Sequence, residues 1–414
     1  MNLFDTIAVL LGLAALCSYL NHRILRLHGG AGVMIVSLAL SLGLLVLQAA
    51  GVEIHQRIFE FLSGIQFGPA LLNWMLGFLL FAGALTLDLE ELNRQRGIIA
   101  ALSVIGTIIS MFTVAVVIWA ALHALGTTMD WMYCLLLGAL ISPTDPIAVL
   151  QLIKRMGGLR RMQTIIGGES LFNDGVGVVL FLTLLDVVRI GHPVSTPTIV
   201  LLFLRECGGG IILGLVGGII VYWIMKRVHD FGLEVLLTLS LVMGIFSIAQ
   251  RLGVSGPIAE VAAGLLVGNR GGVLKMPADV VQNLDQFWAM VDEILNTVLF
   301  MLMGLEVLVT PMSVKHLMAA AIGIPAVLYA RWISVSLIMM PLQPRGPARS
   351  VMVRILTWGG LRGGLAIAMA LSIPDDPHHN RERIVAITYG VVAFSILVQS
   401  TTMQRVLARN SAYL

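Results

Sequence analysis

From residue 5 to residue 404 the chain is a near-continuous succession of apolar runs separated by short polar interruptions. An α-helix rises about 1.5 Å per residue, so roughly 20 apolar residues cross a hydrocarbon core of about 30 Å. These runs are unbroken. Barrel strands instead alternate over about ten residues, so the runs read as helices. Thirteen segments emerge, near 5–22, 31–50, 70–88, 97–122, 131–152, 163–189, 197–225, 233–250, 256–268, 281–304, 316–340, 354–372 and 384–404. Charged residues make up 12% of the chain and hydrophobic ones 58%; an ordinary soluble domain is about 25% charged. The expected fold class is an all-α polytopic membrane protein. The longest connections, near 51–69 and 269–281, cannot hold a soluble domain. One transmembrane domain therefore covers residues 1–414, and function must lie inside the membrane.

The basic residues test this count. With the N-terminus outside, the cytoplasmic side holds 17 of the 26 Lys and Arg and the outer side six; Arg205, Arg331 and Arg362 fall within spans. The positive-inside rule then gives an outer N-terminus, a cytoplasmic C-terminus and a multi-pass protein of the cell membrane. The basic balance follows topology, so no nucleic-acid partner is expected. The opening "MNLFDTIAVLLGLAALCSYLNHR" lacks a basic n-region and reads as a retained span. Cys17, Cys134 and Cys207 lie far apart in apolar segments and define neither a disulfide framework nor a metal site. His378 and His379, beside Asp375 and Asp376, read as a solvated outer turn.

Ionisable groups inside spans point to function. In "SPTDP" (142–146), Pro143 and Pro146 break segment 5 around Thr144 and Asp145. A broken helix frees carbonyls on one side and N–H groups on the other. The carbonyls suit a small hard cation, and Asp145 suits the positive end of a half-helix. In "GGESLFNDGVGVVLFL" (167–182), Glu169 and Asn173 stand four residues apart, as do Ser170 and Asp174, at the start of an apolar run. In "TWGGLRGG" (357–364), four glycines surround Arg362, which can offset the carbonyl ends of a broken helix. Arg331 lies mid-span with no local acid and needs a partner on another helix. Glu169 is the first choice; Asp292 is a rival, and Glu260 and Glu293 also lie in or near spans.

Segment 7 (197–225) can serve as the middle of the thirteen, linking a first repeat at about 1–190 to a second at about 233–408. Segments 5 and 12, one broken around an acid and the other around a base, then occupy matching positions. That pattern marks inverted repeats of six with two discontinuous helices crossing near the midplane.

Taken together, "SPTDP", "GESLFNDGVGVVLF" (168–181) and "GGLRGG" (359–364) resemble the monovalent cation/proton antiporter superfamily, in its sodium/proton exchanger branch. The resemblance runs from about segment 3 to segment 13. It implies that Asp174 binds Na⁺ or a proton by turns, with Asn173 as its neighbour, and that Ser170 and Thr144 complete cation coordination. It implies a structural ion pair between Glu169 and an arginine, here Arg331. It further implies a homodimer in a lipid bilayer, with a core of segments 4–6 and 11–13 and a dimerisation part of segments 1–3 and 8–10. The cargo is Na⁺ and H⁺, with no cofactor and no enzymatic reaction, and pH homeostasis is the expected role. One departure stands out: "FLLFAGALTL" (78–87) has no acid before Asp88, where some relatives carry a further site carboxylate.

A carboxylate in a partly dehydrated cavity is pushed towards its protonated form, so H⁺ and a cation can compete for it. One acid exchanging one proton for one cation gives an electroneutral 1:1 cycle by alternating access. Li⁺ or K⁺ could replace Na⁺. The other readings are a K⁺/H⁺ antiporter and a sodium-coupled symporter on the same plan. An intramembrane hydrolase using Asp145 and Asp174 as an acid pair belongs to a different class.

Overall fold

The computed structural model describes residues 3–26, 30–49, 75–155, 160–190, 196–227, 230–269, 278–305, 314–342, 346–374, 376 and 379–410. The connection expected near 51–69, most of the one expected near 269–281 (residues 270–277), and Asp375 and His378 lie outside the described residues. The elements are α1 (Leu3–Leu20), α2 (Gly30–Ala49), α3 (Leu76–Leu85), α4 (Thr107–Ala124), α5 (Trp131–Ile141), α6 (Ile147–Arg155), α7 (Arg160–Ile190) and α8 (Thr196–Met225). They continue as α9 (Phe231–Leu252), α10 (Gly256–Val267), α11 (Ala278–Leu305), α12 (Val314–Leu342), α13 (Pro347–Trp358), α14 (Gly364–Leu371), α15 (Asn380–Phe394) and α16 (Ser400–Arg409). Among the described residues, eight helical stretches are long and apolar enough to cross a membrane, and four shorter apolar helices accompany them. The protein is an all-α polytopic membrane protein.

Besides a π-turn at Asn21–Leu25 after α1, two described stretches near the centre of the molecule depart from α-helical winding. A π-turn at Ala101–Gly106 precedes α4, and another at Ser395–Gln399 joins α15 to α16. Some boundaries also differ from the expected ones. Segment 12 starts at Pro347, not near 354, because Pro347 is tolerated in a first helical turn and starts the helix among polar residues. Arg349 therefore lies on α13 and not in a loop. Segment 3 ends at Leu85, and Asp88 caps a separate short helix, Leu89–Arg94, through bonds from the Glu90 and Glu91 amides. Helix α10 has 12 residues, started by the Ser255 hydroxyl at the Ile258 amide. At about 1.5 Å per residue it is too short to cross alone.

Two groups of helices pack side by side. In the first, α10 lies against α3, α8 and α9, while α11 lies against α2 and α3. In the second, α12 contacts α4 and α15, and α5 contacts α4 and α7. The groups meet where α7 touches α8 and α10, and where α11 touches α14.

Lipid tails are as apolar as leucine, so helix pairing here depends on close packing of small residues and not on the hydrophobic effect. Gly264 on α10 shows this. A Cβ at that position would stand 2.7 Å from Ala84 Cβ and 2.8 Å from the Phe81 carbonyl oxygen. The backbones of α10 and α3 approach because nothing separates them. Gly264→Leu should destabilise the fold by about 1–3 kcal/mol, the usual range for overpacking. A thermal shift of the detergent-solubilised protein reads the loss, and an unchanged melting temperature would contradict this account of the α3–α10 contact.

Candidate ion-binding site

Pro143 and Pro146 withhold amide donors, so α5 stops at Ile141, with Ser142 still in helical dihedrals, and α6 begins at Ile147. The second break separates α13 from α14 across Gly359–Gly363. The two breaks cross antiparallel, and the Asp145 amide donates to the Leu361 carbonyl at 2.8 Å.

The freed helix ends find partners within the crossing and in the neighbouring helix. Arg362 Nη1 donates to the carbonyls of Ser142 at 2.6 Å and Pro143 at 2.8 Å, at the end of α5. Asp145 Oδ1 accepts from the Ile147 amide at 3.0 Å, at the start of α6. Gly363, just before α14, lies against the same carboxylate: a Cβ there would stand 2.5 Å from Asp145 Oδ2. At the end of α13, the Trp358 carbonyl accepts from Gln399 Nε2 at 3.0 Å. Gln399 is positioned by the second π-turn and is also bonded by the Ser395 hydroxyl. Positive charge thus meets carbonyls and negative charge meets N–H groups, as helix dipoles favour.

Helix α7 supplies the third wall. Asn173 clasps Thr144: its Oδ1 accepts from the Thr144 amide at 3.2 Å, and its Nδ2 donates to Thr144 Oγ1 at 2.9 Å. The Ser170 hydroxyl donates to the Thr144 carbonyl. All three residues are buried. Asp174 is half-buried, and its carboxylate takes no hydrogen bond among the described residues. The charges of Asp145 and Arg362 both act on it.

Glu169, one turn earlier, forms a two-pronged ion pair with Arg331 of α12; Nη2 lies 2.9 Å from Oε2, and Nη1 bonds Oε1. Arg331 Nε also donates to the Leu356 carbonyl of α13 at 3.1 Å. Gly360 leaves space for this arginine, since a Cβ there would stand 2.6 Å from Nε. Ser103, in the first π-turn, donates to the Glu169 carbonyl at 3.2 Å. Asp292 lies elsewhere, on α11 at the cavity wall.

A cavity of about 360 Å³ lies between these elements. Thr144, Asp145, Ser170 and Asp174 line it, with α3, the start of α14, and Asp292 and Asn296 of α11 on the remaining sides. Asn173 is not part of its wall, because both ends of its amide are engaged by Thr144. The cavity extends along α6 to Gln151 and Lys154, which are exposed. Sequence reading did not find Gln399 or Ser103, which carry no charge and no motif, nor the position of Asp292.

Crossed half-helices beside a carboxylate that solvent can reach define a secondary transporter of the discontinuous-helix type. The profile of the sodium/hydrogen exchanger transmembrane family matches residues 11–409. The chain is 41% identical over 407 residues to the Na⁺/H⁺ antiporter NhaP of Pseudomonas aeruginosa, covering 97% of this chain and 95% of that one. It is 32% identical to the Na⁺/H⁺ antiporter NhaH of Halobacillus aidingensis, over 83% of each chain. Its fold matches that of the sodium/proton antiporter MjNhaP1 from Methanocaldococcus jannaschii with a TM-score of 0.77, at 18% identity and over 99% of both chains. The protein belongs to the sodium/hydrogen exchanger family.

Removing one partner of a buried ion pair leaves an uncompensated charge, at a cost of about 3–5 kcal/mol. Glu169→Ala should therefore lower the melting temperature sharply. The double variant Glu169→Leu/Arg331→Leu should recover a large part of the loss, as measured by thermal unfolding in detergent. Equal stability of wild type and Glu169→Ala would contradict a structural role for the pair.

Proposed function

We propose that the protein exchanges one Na⁺ for one H⁺ across the cell membrane, with Asp174 as the group that binds each in turn. Na⁺/H⁺ antiport is the activity its family membership supports. The observation that carries the site assignment is the Asp174 carboxylate: it faces the cavity beside the crossing, and no described group holds it by a hydrogen bond.

A hard cation prefers oxygen ligands. Asp174 Oδ atoms, the Thr144 carbonyl and the Ser170 hydroxyl supply oxygens along one wall. Asn173 acts by fixing Thr144 and has no free group to offer the ion. With Na⁺ or a proton bound, the Asp174 site is neutral and crosses a low-dielectric barrier at small cost. With neither bound it is an anion, which is expensive to bury. Loaded sites therefore move and empty ones do not, and exchange follows without leak.

The cavity reaches the surface at Lys154, on the side that the basic residues assign to the cytoplasm, so this conformation faces inward. The buried apolar cluster that holds Leu136, Leu137, Ile367 and Ile387 closes the other side in this reading. In this reading the group containing α4–α7 and α12–α16 is the moving core. The group containing α1–α3 and α9–α11 forms the homodimer, with α8 as the linker. The N-terminus lies outside and the C-terminus in the cytoplasm.

Reconstitution into proteoliposomes with an imposed pH gradient tests the proposal. Na⁺ should dissipate the gradient and choline should not; Li⁺ and K⁺ added in turn set the selectivity. Asp174→Asn should abolish exchange while folding and melting temperature persist. Exchange retained in that variant would remove Asp174 from its role. An imposed membrane potential should leave the wild-type rate unchanged, and a steep voltage response would overturn the 1:1 stoichiometry.

A further inference from the structure

Helix α3 meets the cavity with Leu76, Leu79, Leu80, Gly83, Thr86 and Leu87, and so brings no carboxylate to it. The facing helix α11 does. Asp292 and Asn296, four residues apart and therefore on one face, both line the cavity and are both half-buried. Asn296 stands within hydrogen-bonding reach of the Asp292 carboxylate. The other charged residues on the cavity wall are Asp145 and Lys154 from segment 5 and Asp174 from α7. Asp292 interacts electrostatically with Asp145 across the space, and its neighbour Glu293 points to the exposed side of α11.

Asp292 and Asp174 belong to different helix groups. Helix α11 packs against α2 and α3, whereas α7 packs against α5. A carboxylate on the wall that stays behind cannot travel with the cargo. What it can do is set the potential of the cavity into which the cation diffuses. A cleft in which one sign of charge predominates, here three carboxylates against the one ammonium of Lys154, raises the local concentration of counter-ions and speeds their capture.

We propose that Asp292, with Asn296, is a capture site for monovalent cations on the stationary wall, delivering them to Asp174 on the moving one. The inference rests on the antiport reading above. It assigns to α11 the carboxylate that the α3 stretch 78–87 lacks. Asp292 is then a specificity-setting residue: its charge governs how much Na⁺ is needed and leaves the turnover of the loaded site alone.

The test is the Na⁺ dependence of proton movement in proteoliposomes for wild type, Asp292→Asn, Asp292→Glu and Asp174→Asn, each with its melting temperature. Asp292→Asn should raise the apparent KM for Na⁺ about tenfold, with kcat within about twofold of wild type. Asp292→Glu, which keeps the charge, should restore a KM close to that of wild type. Three results would overturn the proposal: an unchanged KM in Asp292→Asn, a KM in Asp292→Glu as high as in Asp292→Asn, or a loss of kcat matching that of Asp174→Asn. If Asp292→Asn does not fold, Asp292→Ser is judged by the same criteria. An inactive wild type overturns the antiport reading and this inference with it; an active wild type with an unshifted Asp292→Asn overturns this inference alone.

Discussion

A bilayer core contains no water to satisfy a stray amide or carbonyl, so a helix interrupted at mid-membrane must find its hydrogen bonds in protein. That requirement organises the centre of this molecule. Each broken helix is completed by the other: the Leu361 carbonyl takes the Asp145 amide, and Arg362 covers the last carbonyls of α5. Neither break would be tolerable alone. Only because they cross can backbone around Thr144 stand open beside a cavity, where a continuous helix would keep those groups to itself.

Around the crossing, the remaining polar contacts hold parts in register. The Glu169–Arg331 pair joins α7 to α12, and Arg331 reaches on to α13 through the Leu356 carbonyl. Three segments meet at one guanidinium. Its planar fork can serve a carboxylate on one edge and a carbonyl on another, which a lysine ammonium would do with less geometric definition. One turn further along α7, Asn173 grips Thr144 by both its amide and its hydroxyl. The side chain beside Asp174 is thus a clamp on the backbone, and Asp174 alone is left open to the cavity.

The polytopic all-α class was legible because each span needs a long apolar run. The crossing was legible because proline, glycine and intramembrane charge are costly and rarely placed together without cause. Asp145, Arg362 and the α7 group all declared themselves in that way. Partner choice was harder. Arg331 had several acids within the spans to choose from, and only the packing of α7 against the α12–α13 corner selects Glu169 over Asp292. Gln399 and Ser103 were invisible because an uncharged polar residue in a span carries little sequence signal. Their positions depend on the two π-turns, which composition does not announce. The start of α13 was misplaced because its first turn is polar, so hydropathy alone could not show it.

Side chains along the contact between the two helix groups give the crossing a mechanical setting. Gly175 of α7 lies under Ile258 of α10, Gly83 of α3 under Leu171, and Gly364 of α14 under Leu299 of α11. Tyr389 of α15 adds a hydrogen bond to the Met303 carbonyl of α11. The boundary thus carries apolar contacts and a tyrosine hydrogen bond, while the crossing itself is cross-linked by backbone and guanidinium bonds. Stiffness is concentrated in the crossing. In the proposed exchange cycle, segments 5 and 12 would therefore move as a single block, with their mutual bonds kept.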